Sequence, residues 1–429
     1  MLSNIIAKNF KSAAQFNKVA CSTFSTWSTL EAAPPDPILG LNEVFKKDPN
    51  PKKVLLGMGV YRDNENKPYI LNCIRKAEQI IIDRKMDHEY AGIQGIDSFI
   101  ANALKLAYGA DSQLLKDGRV AGAQSISGTG SIRLGFDFLS QFYPNKQAEV
   151  LVPNPTWPVH RTIPGKVGMK AVQYRYYDPK TRGLDFQGLQ EDLDKAKNDS
   201  IVLFHVCAHN PTGVDPTPAQ WKDILEVVKR KNHFVCFDSA YQGFASGDLQ
   251  KDAYSLNLFT SEYDRIMLFQ SFAKNFGIYG QRAGCLSLVT GSKKETEVVM
   301  SRVKELARAF YSNPPIHGAR LVDIVLSDPA LTNEWHSELK VMSGRMATMR
   351  TGLVENLKAR GSQHSWRHIT DQIGMFAYTG LTKEMVDELR AKYSIYMSGE
   401  GRISICGLNT HNLEYISDAF HAVTKDKQI

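Results

Sequence analysis

Crossing a bilayer takes about 20 consecutive apolar residues, and no such run occurs among these 429 residues, so no transmembrane helix is expected. Cysteine is sparse. Cys21, Cys73, Cys207, Cys236, Cys285 and Cys406 are scattered without a C-x-x-C pair, which indicates neither a zinc site nor a disulfide framework. Most lie in apolar segments and read as reduced, partly buried thiols of an intracellular protein. The Lys-Ser/Thr ending of a nucleotide-binding P-loop is missing, and so is the G-x-G-x-x-G spacing of a dinucleotide site. Nucleic-acid motifs are missing too. The net charge of +7 is only mildly basic beyond the N-terminal segment, so no nucleic-acid partner is expected.

Acids are missing from the start of the chain, where Glu31 is the first, and arginine is missing from residues 1–28. On a helix at 100° per residue, Lys8, Lys11 and Lys18 fall within one narrow arc. Leu2, Ile5, Ile6, Phe10, Ala13, Phe16 and Ala20 take the opposite side. A basic amphipathic segment of this kind resembles an organellar import presequence, so residues 1–28 are expected to be a mitochondrial address. The rest, in a chain with 43% hydrophobic and 23% charged residues, has the balance of a globular enzyme.

The middle of the chain alternates short apolar runs with helical periodicity. Ile201-Val-Leu-Phe-His-Val206 has the pattern of a buried strand. The turn-rich Asn210-Pro-Thr-Gly213 follows, and then Trp221, Ile224, Leu225 and Val228 mark one helix face. Phe234–Asp238, Arg265–Gln270 and Gly284–Val289 read as further strands. This alternation predicts an α/β fold with a mostly parallel sheet covered by helices. Ligands of such sheets bind beyond the carboxyl ends of the strands. Asn210, Asp238, Tyr241, Ser271, Lys274 and Arg282 all fall there or in the loop that follows.

Each of these residue types suits a particular task. A lysine among apolar and small residues loses its charge cheaply, and a neutral amine can condense with an aldehyde cofactor. Ser127-Gly-Thr-Gly-Ser131 precedes a helical segment, so its backbone N–H groups and hydroxyls can close on a phosphate. Arg282 offers a planar fork to the same phosphate. Asp238, at the end of an apolar strand, needs a partner for its charge. A protonated pyridine nitrogen is one such partner, and a protonated ring is an electron sink.

Taken together, Asp238–Gly247, His209-Asn-Pro-Thr-Gly213, the segment Ser271–Arg282 and Arg402-Ile-Ser-Ile-Cys-Gly407 follow the order and spacing of the aspartate aminotransferases. Asp36–Leu41, Tyr61-Arg-Asp63 and Tyr311-Ser-Asn-Pro-Pro315 extend the likeness. The chain resembles this family from about Pro34 onward. The resemblance implies a class I, fold-type-I enzyme that uses pyridoxal 5'-phosphate to exchange an amino group between L-aspartate and 2-oxoglutarate. It implies that Lys274 carries the cofactor and moves the proton. Asp238 pairs with the ring nitrogen, with His160 behind it, and Asn210 and Tyr241 bond the ring oxygen. Trp157 stacks on the ring. Ser127, Gly128, Thr129, Ser271 and Arg282 hold the phosphate with Tyr90 of a neighbouring subunit. Arg402 grips the α-carboxylate and Arg308 reaches the side-chain carboxylate across a homodimer interface. Gly59, Trp157 and Asn210 complete the substrate site, and no metal is implied.

The implied architecture has an N-terminal arm and part of a small domain at 29–67, a large cofactor-binding domain at 68–341 and the rest of the small domain at 342–429. The implied location is the mitochondrial matrix. An aromatic-amino-acid aminotransferase of the same family and a non-catalytic binding protein are the competing readings. Two departures from the family pattern stand out. Pro158-Val159 replaces the usual Gly-Asn between Trp157 and His160, and Ala91-Gly92 replaces Leu-Pro after Tyr90. The first is expected to alter the loop beneath the cofactor, and the second to loosen the loop that crosses between subunits.

Overall fold

The computed structural model describes residues 25–33, 39–427 and 429. Residues 1–24 of the expected address and residues 36–38 of the Asp36–Leu41 motif lie outside the described residues. None of the described helices is long and apolar enough to cross a membrane.

Seven strands make the main sheet. In chain order they are β1 (Val120–Ile126), β2 (Val150–Asn154), β3 (Ala171–Arg175), β4 (Ile201–His205), β5 (Phe234–Ser239), β6 (Ile266–Ser271) and β7 (Ala283–Val289). Their spatial order is β1-β7-β6-β5-β4-β2-β3. Only β7 runs against its neighbours, pairing antiparallel with both β1 and β6. The other ladders are parallel. The sheet is thus mostly parallel, as the alternation predicted, and the strand bounds differ from the sequence expectation by a residue at some ends.

The central strands β4 and β6 have no polar face. On β4, Ile201 and Leu203 point into one apolar cluster, while Val202 and Phe204 point into the other. On β6, Met267 and Phe269 join the first cluster, and Ile266 and Leu268 the second. Side chains alternate across a strand. A near-continuous apolar run therefore means burial on both faces, which a sheet achieves only between two layers of helices.

Two of the helices are bounded by clear local signals. Thr217 and Gln220 form a reciprocal capping box before the helix Pro218–Lys231, with proline at its first turn and Asn232 closing it in a left-handed conformation. The 31-residue helix Pro329–Ala359 begins behind Asp328, whose carboxylate accepts from the N–H groups of Ala330 and Leu331. The helix Asn72–Asp83 differs. Leu71, before it, offers no side-chain cap. The buried Glu338, from the middle of the long helix, supplies one instead. It accepts from the N–H of Asn72 at 2.6 Å and of Cys73 at 3.1 Å.

Residues near the two ends of the chain are brought together. The short strand Val54–Leu55 pairs in parallel with Ile395–Tyr396. A second pair, β8 (Phe376–Tyr378) and β9 (Arg402–Ser404), is antiparallel.

The remote cap yields a prediction. Glu338→Ala leaves the buried N–H of Cys73 and the partly buried N–H of Asn72 without an acceptor, so stability falls by about 2 kcal/mol. Glu338→Gln, which keeps one acceptor oxygen, loses less. An unchanged thermal unfolding midpoint in Glu338→Ala would contradict the assignment.

Candidate active site

The carboxyl ends of the parallel strands converge on one cavity of about 250 Å³. Asp238 arrives on β5 directly beside His205 on β4, since the two are register partners. Ser271 ends β6, and Lys274 lies three residues on. Arg282 precedes β7, and because β7 is antiparallel its start lies at the same edge. Ser127 follows β1 and begins the helix Ser127–Phe142.

Asp238 lies at the deep end. His160 Nε2 is 3.1 Å from its Oδ2, and Thr156 Oγ1 is 2.8 Å from His160 Nδ1. Burial pushes the Asp238 carboxyl upward. The His160 hydrogen bond and nearby positive groups, Lys274 among them, outweigh it and leave the carboxyl below its ordinary value. An ionised Asp238 fixes the tautomer: Nε2–H donates to the carboxylate, and the Thr156 hydroxyl donates to Nδ1. Behind this pair lie His205, its ring centroid 5.0 Å from His160, and His209, 4.4 Å from His205. Burial holds both imidazoles neutral, His205 with a pKa of about 3.

Lys274 is half-buried, and desolvation lowers its pKa. Asp238 works in the opposite direction, and Arg282 adds to the lowering. The main chain beside it is fixed. Asn275 donates to the Gln242 carbonyl at 3.2 Å, and the Trp335 indole N–H donates to the Asn275 carbonyl at 2.8 Å.

At the opposite end of the cavity, Ser127 Oγ and Ser271 Oγ are 3.0 Å apart. The helix that starts at Ser127 has no side-chain cap, so its first N–H groups are open to an anion. Ser127 and Arg282 both adopt left-handed backbone, with φ of 57° and 54°. The Ser127 N–H donates to the Arg282 carbonyl at 3.1 Å. Gly284 lets the strands close here, because a Cβ on it would meet the Ser127 main chain at 2.6 Å. Half-buried Arg282 also lines the cavity.

A third corner belongs to Arg402, on β9. Its guanidinium stands over the Phe376 ring, 4.3 Å from the centroid. One Nη donates to the Gly57 carbonyl at 3.0 Å, and the other is 3.4 Å from Asn210 Oδ1. Its Nε is buried without a partner among the described residues.

The sequence-predicted residues Gly59, Ser127, Gly128, Thr129, Trp157, Asn210, Asp238, Tyr241, Ser271, Lys274, Arg282 and Arg402 all line this one cavity. His160 is buried behind Asp238. Trp157 reaches the cavity despite Pro158, which takes helical backbone and leads into the helix Val159–Lys166. Tyr90 and Arg308 are not brought to the cavity of a single chain. Tyr90 is 83% exposed, and Arg308 is exposed with a hydrogen bond to Ser312. Phe376, Ala240, Thr156 and His205 were not anticipated. His205 had left a signal, a lone histidine at the carboxyl end of an apolar strand. Phe376 had left none, because only tertiary contact distinguishes it from a core phenylalanine.

The sequence profile described as "Aminotransferase class I and II" matches residues 51–420. The mitochondrial aspartate aminotransferase of Schizosaccharomyces pombe is 50% identical over 404 residues, covering 94% of this chain and 92% of that protein. The solved mitochondrial aspartate aminotransferase of Trypanosoma brucei is 45% identical, with a TM-score of 0.86 over 90% of this chain and 100% of that one. The aromatic-amino-acid aminotransferase of Burkholderia pseudomallei, solved covalently bound to pyridoxal phosphate, is 42% identical, with a TM-score of 0.90 over 94% of this chain and 100% of that one.

The buried histidines give a pH prediction. In the folded chain His205 takes up a proton only near pH 3, whereas the unfolded chain does so near 6.5. The stability this affords is fully present above about pH 6.5 and is lost as pH falls toward 3. His205→Gln should therefore flatten the acid side of the stability curve, by at most about 1.4 kcal/mol per pH unit. Chemical unfolding between pH 4 and 7 measures this, and parallel curves for the two proteins would contradict it.

Proposed function

The chain belongs to the class I and II aminotransferases, and from that membership we propose how its cavity carries out aspartate transamination. The reaction exchanges an amino group reversibly between L-aspartate and 2-oxoglutarate, giving oxaloacetate and L-glutamate, with pyridoxal phosphate as cofactor. The observation that carries the reading is the placement of a partly desolvated lysine, an ionised buried aspartate and an uncapped, hydroxyl-rich helix start around one cavity.

The donor set fits the cofactor group by group. Ser127, Gly128, Thr129, Ser271 and Arg282 suit its phosphate. Asp238, held by His160, suits its ring nitrogen. Asn210 and Tyr241 suit its ring oxygen, Trp157 its ring face, and Lys274 its aldehyde. When bound, pyridoxal phosphate supplies the carbonyl that receives the amino group and the electron-poor ring that stabilises negative charge at the substrate α-carbon.

The rest is work for the protein's own side chains. Asp238 keeps a positive charge on the nitrogen it faces, because its own charge is fixed by His160. Lys274 acts as general base at the α-carbon. Burial favours its neutral amine, and its Nζ holds the proton until it is returned. Arg402 takes the α-carboxylate, and Gly59, where a Cβ would meet the Phe376 ring at 2.7 Å, lets that ring sit beneath the guanidinium. Arg308 takes the side-chain carboxylate, so the two arginines together select dicarboxylates.

Arg308 and Tyr90 serve the cavity of a second copy, which makes the protein a homodimer with shared sites. Their exposure supports this. So does the link between their loops, since Asn313 donates to the Ala91 carbonyl at 2.7 Å. Exposed Trp27 and Leu30 in the N-terminal arm are further apolar surface for such a partner. The division into a large domain, 68–341, and a small domain, 29–67 with 342–429, is supported by the pairing of Val54–Leu55 with Ile395–Tyr396. Location in the mitochondrial matrix is supported by the mitochondrial relatives and by the basic, acid-free start of the chain.

An absorbance experiment tests the reading. L-aspartate should convert the aldehyde form of the bound cofactor to its amine form, and 2-oxoglutarate should reverse the change. Lys274→Ala should retain the cofactor through the phosphate contacts and lose turnover. A cofactor that ignores aspartate but responds to phenylalanine would favour the aromatic reading. Near-wild-type turnover in Lys274→Ala would remove the lysine from its role.

A further inference from the structure

Arg350, in the long helix Pro329–Ala359, is a buried cation with no carboxylate at hydrogen-bonding distance among the described residues. Burying an arginine without a counter-ion is costly unless fixed dipoles replace the water it loses. Three main-chain carbonyls do so here. Arg350 donates to Ile369 O at 2.8 Å, to Gly374 O at 2.9 Å and to Phe376 O at 2.6 Å. These carbonyls run from the short helix Arg367–Asp371 through the turn at Gly374 to the first residue of β8. Regular ladder pairing does not begin until Phe376, so without Arg350 the carbonyls of Ile369 and Gly374 would lack this donor.

What that stretch carries is the floor of the α-carboxylate corner. The Phe376 ring supports the Arg402 guanidinium at 4.3 Å. It also lies against Gly59, where an added Cβ would meet the ring at 2.7 Å. The same stretch fixes the loop that follows Asn210, because the Ile373 N–H donates to the Gly213 carbonyl at 2.8 Å. Asn210 and Gly57 are the two neighbours that hold the Arg402 fork. One buried guanidinium therefore ties down the support of another, with Phe376 between them.

We infer that Arg350 is a positioning residue for substrate binding. It holds the Phe376 main chain so that the ring keeps the Arg402 guanidinium in place for the α-carboxylate. The inference rests on the aspartate aminotransferase reading. Arg350 touches neither substrate nor cofactor, and its effect passes through Phe376.

The test uses the full-length holoenzyme with Arg350→Met, Arg350→Lys, Phe376→Ala and the double variants. The readouts are KM and kcat for L-aspartate and the dissociation constant of succinate by calorimetry. Cofactor retention, read by absorbance, serves as the check on folding. Arg350→Met should raise KM and the succinate dissociation constant together by at least tenfold, lower kcat by less, and leave the cofactor bound. Arg350→Lys, which keeps the charge and reaches fewer carbonyls, should fall between. In the Phe376→Ala background neither substitution should add a further loss.

Values within twofold of wild type in a folded Arg350→Met protein would overturn the inference, as would losses that simply add to those of Phe376→Ala. If Arg350→Met does not fold, the Arg350→Lys pair in the two backgrounds decides by the same criterion. Wild-type turnover of aspartate tests the functional reading separately, since it does not depend on any Arg350 variant.

Discussion

A carboxylate at the bottom of a cavity survives only if its charge is held, and the hydrogen bond between Asp238 and His160 does this holding. The strand ladder places Asp238 beside His205 and lifts it to the sheet edge. The His160 ring, oriented by Thr156, keeps it ionised. Burial keeps the histidines behind it, His205 and His209, neutral. Everything else in the cavity is arranged relative to that fixed negative point. The lysine stands where its own charge is suppressed, and the uncapped helix start at Ser127 and Arg402 line the same cavity.

The three corners are built in different ways. The phosphate corner consists largely of backbone, with two left-handed residues and a glycine allowing close approach of adjacent segments. The Asp238 corner is a chain of side chains. The Arg402 corner is held from behind, by an aromatic ring whose main chain is anchored to the helix Pro329–Ala359. That helix also caps Asn72–Asp83 through Glu338 and pins the Lys274 loop through Trp335. A single rigid element thus supports several parts of the molecule that the chain visits far apart in sequence.

Much of this was legible before any coordinates. Apolar runs such as Ile201–Val206 announced buried strands because burial on both faces removes polar alternation. Residues such as Asp238, Lys274 and Ser271 could be placed at one edge because parallel strands bring their carboxyl ends together. Phe376 and Arg350 were not legible. Nothing in Met375-Phe376-Ala377 separates a ring beneath an arginine from an ordinary core residue. An arginine within a helical segment reads as a surface charge until the carbonyls around it are seen. The remote cap at Glu338 was hidden for the same reason, because its partners lie 265 and 266 residues away. The antiparallel β7 was also not anticipated, since strand direction depends on how the loop before it, which holds Tyr279–Gln281, folds back.

The central claim is that Asp238 acts through its negative charge, not merely through its shape. The most direct measurement is kcat for aspartate in Asp238→Asn, which keeps the size and a hydrogen bond to His160 but not the charge. The account predicts a fall of at least about 10²-fold, the usual scale for losing a fixed electrostatic contact in a buried site, with the cofactor still bound through its phosphate. A kcat within a few-fold of wild type would contradict it.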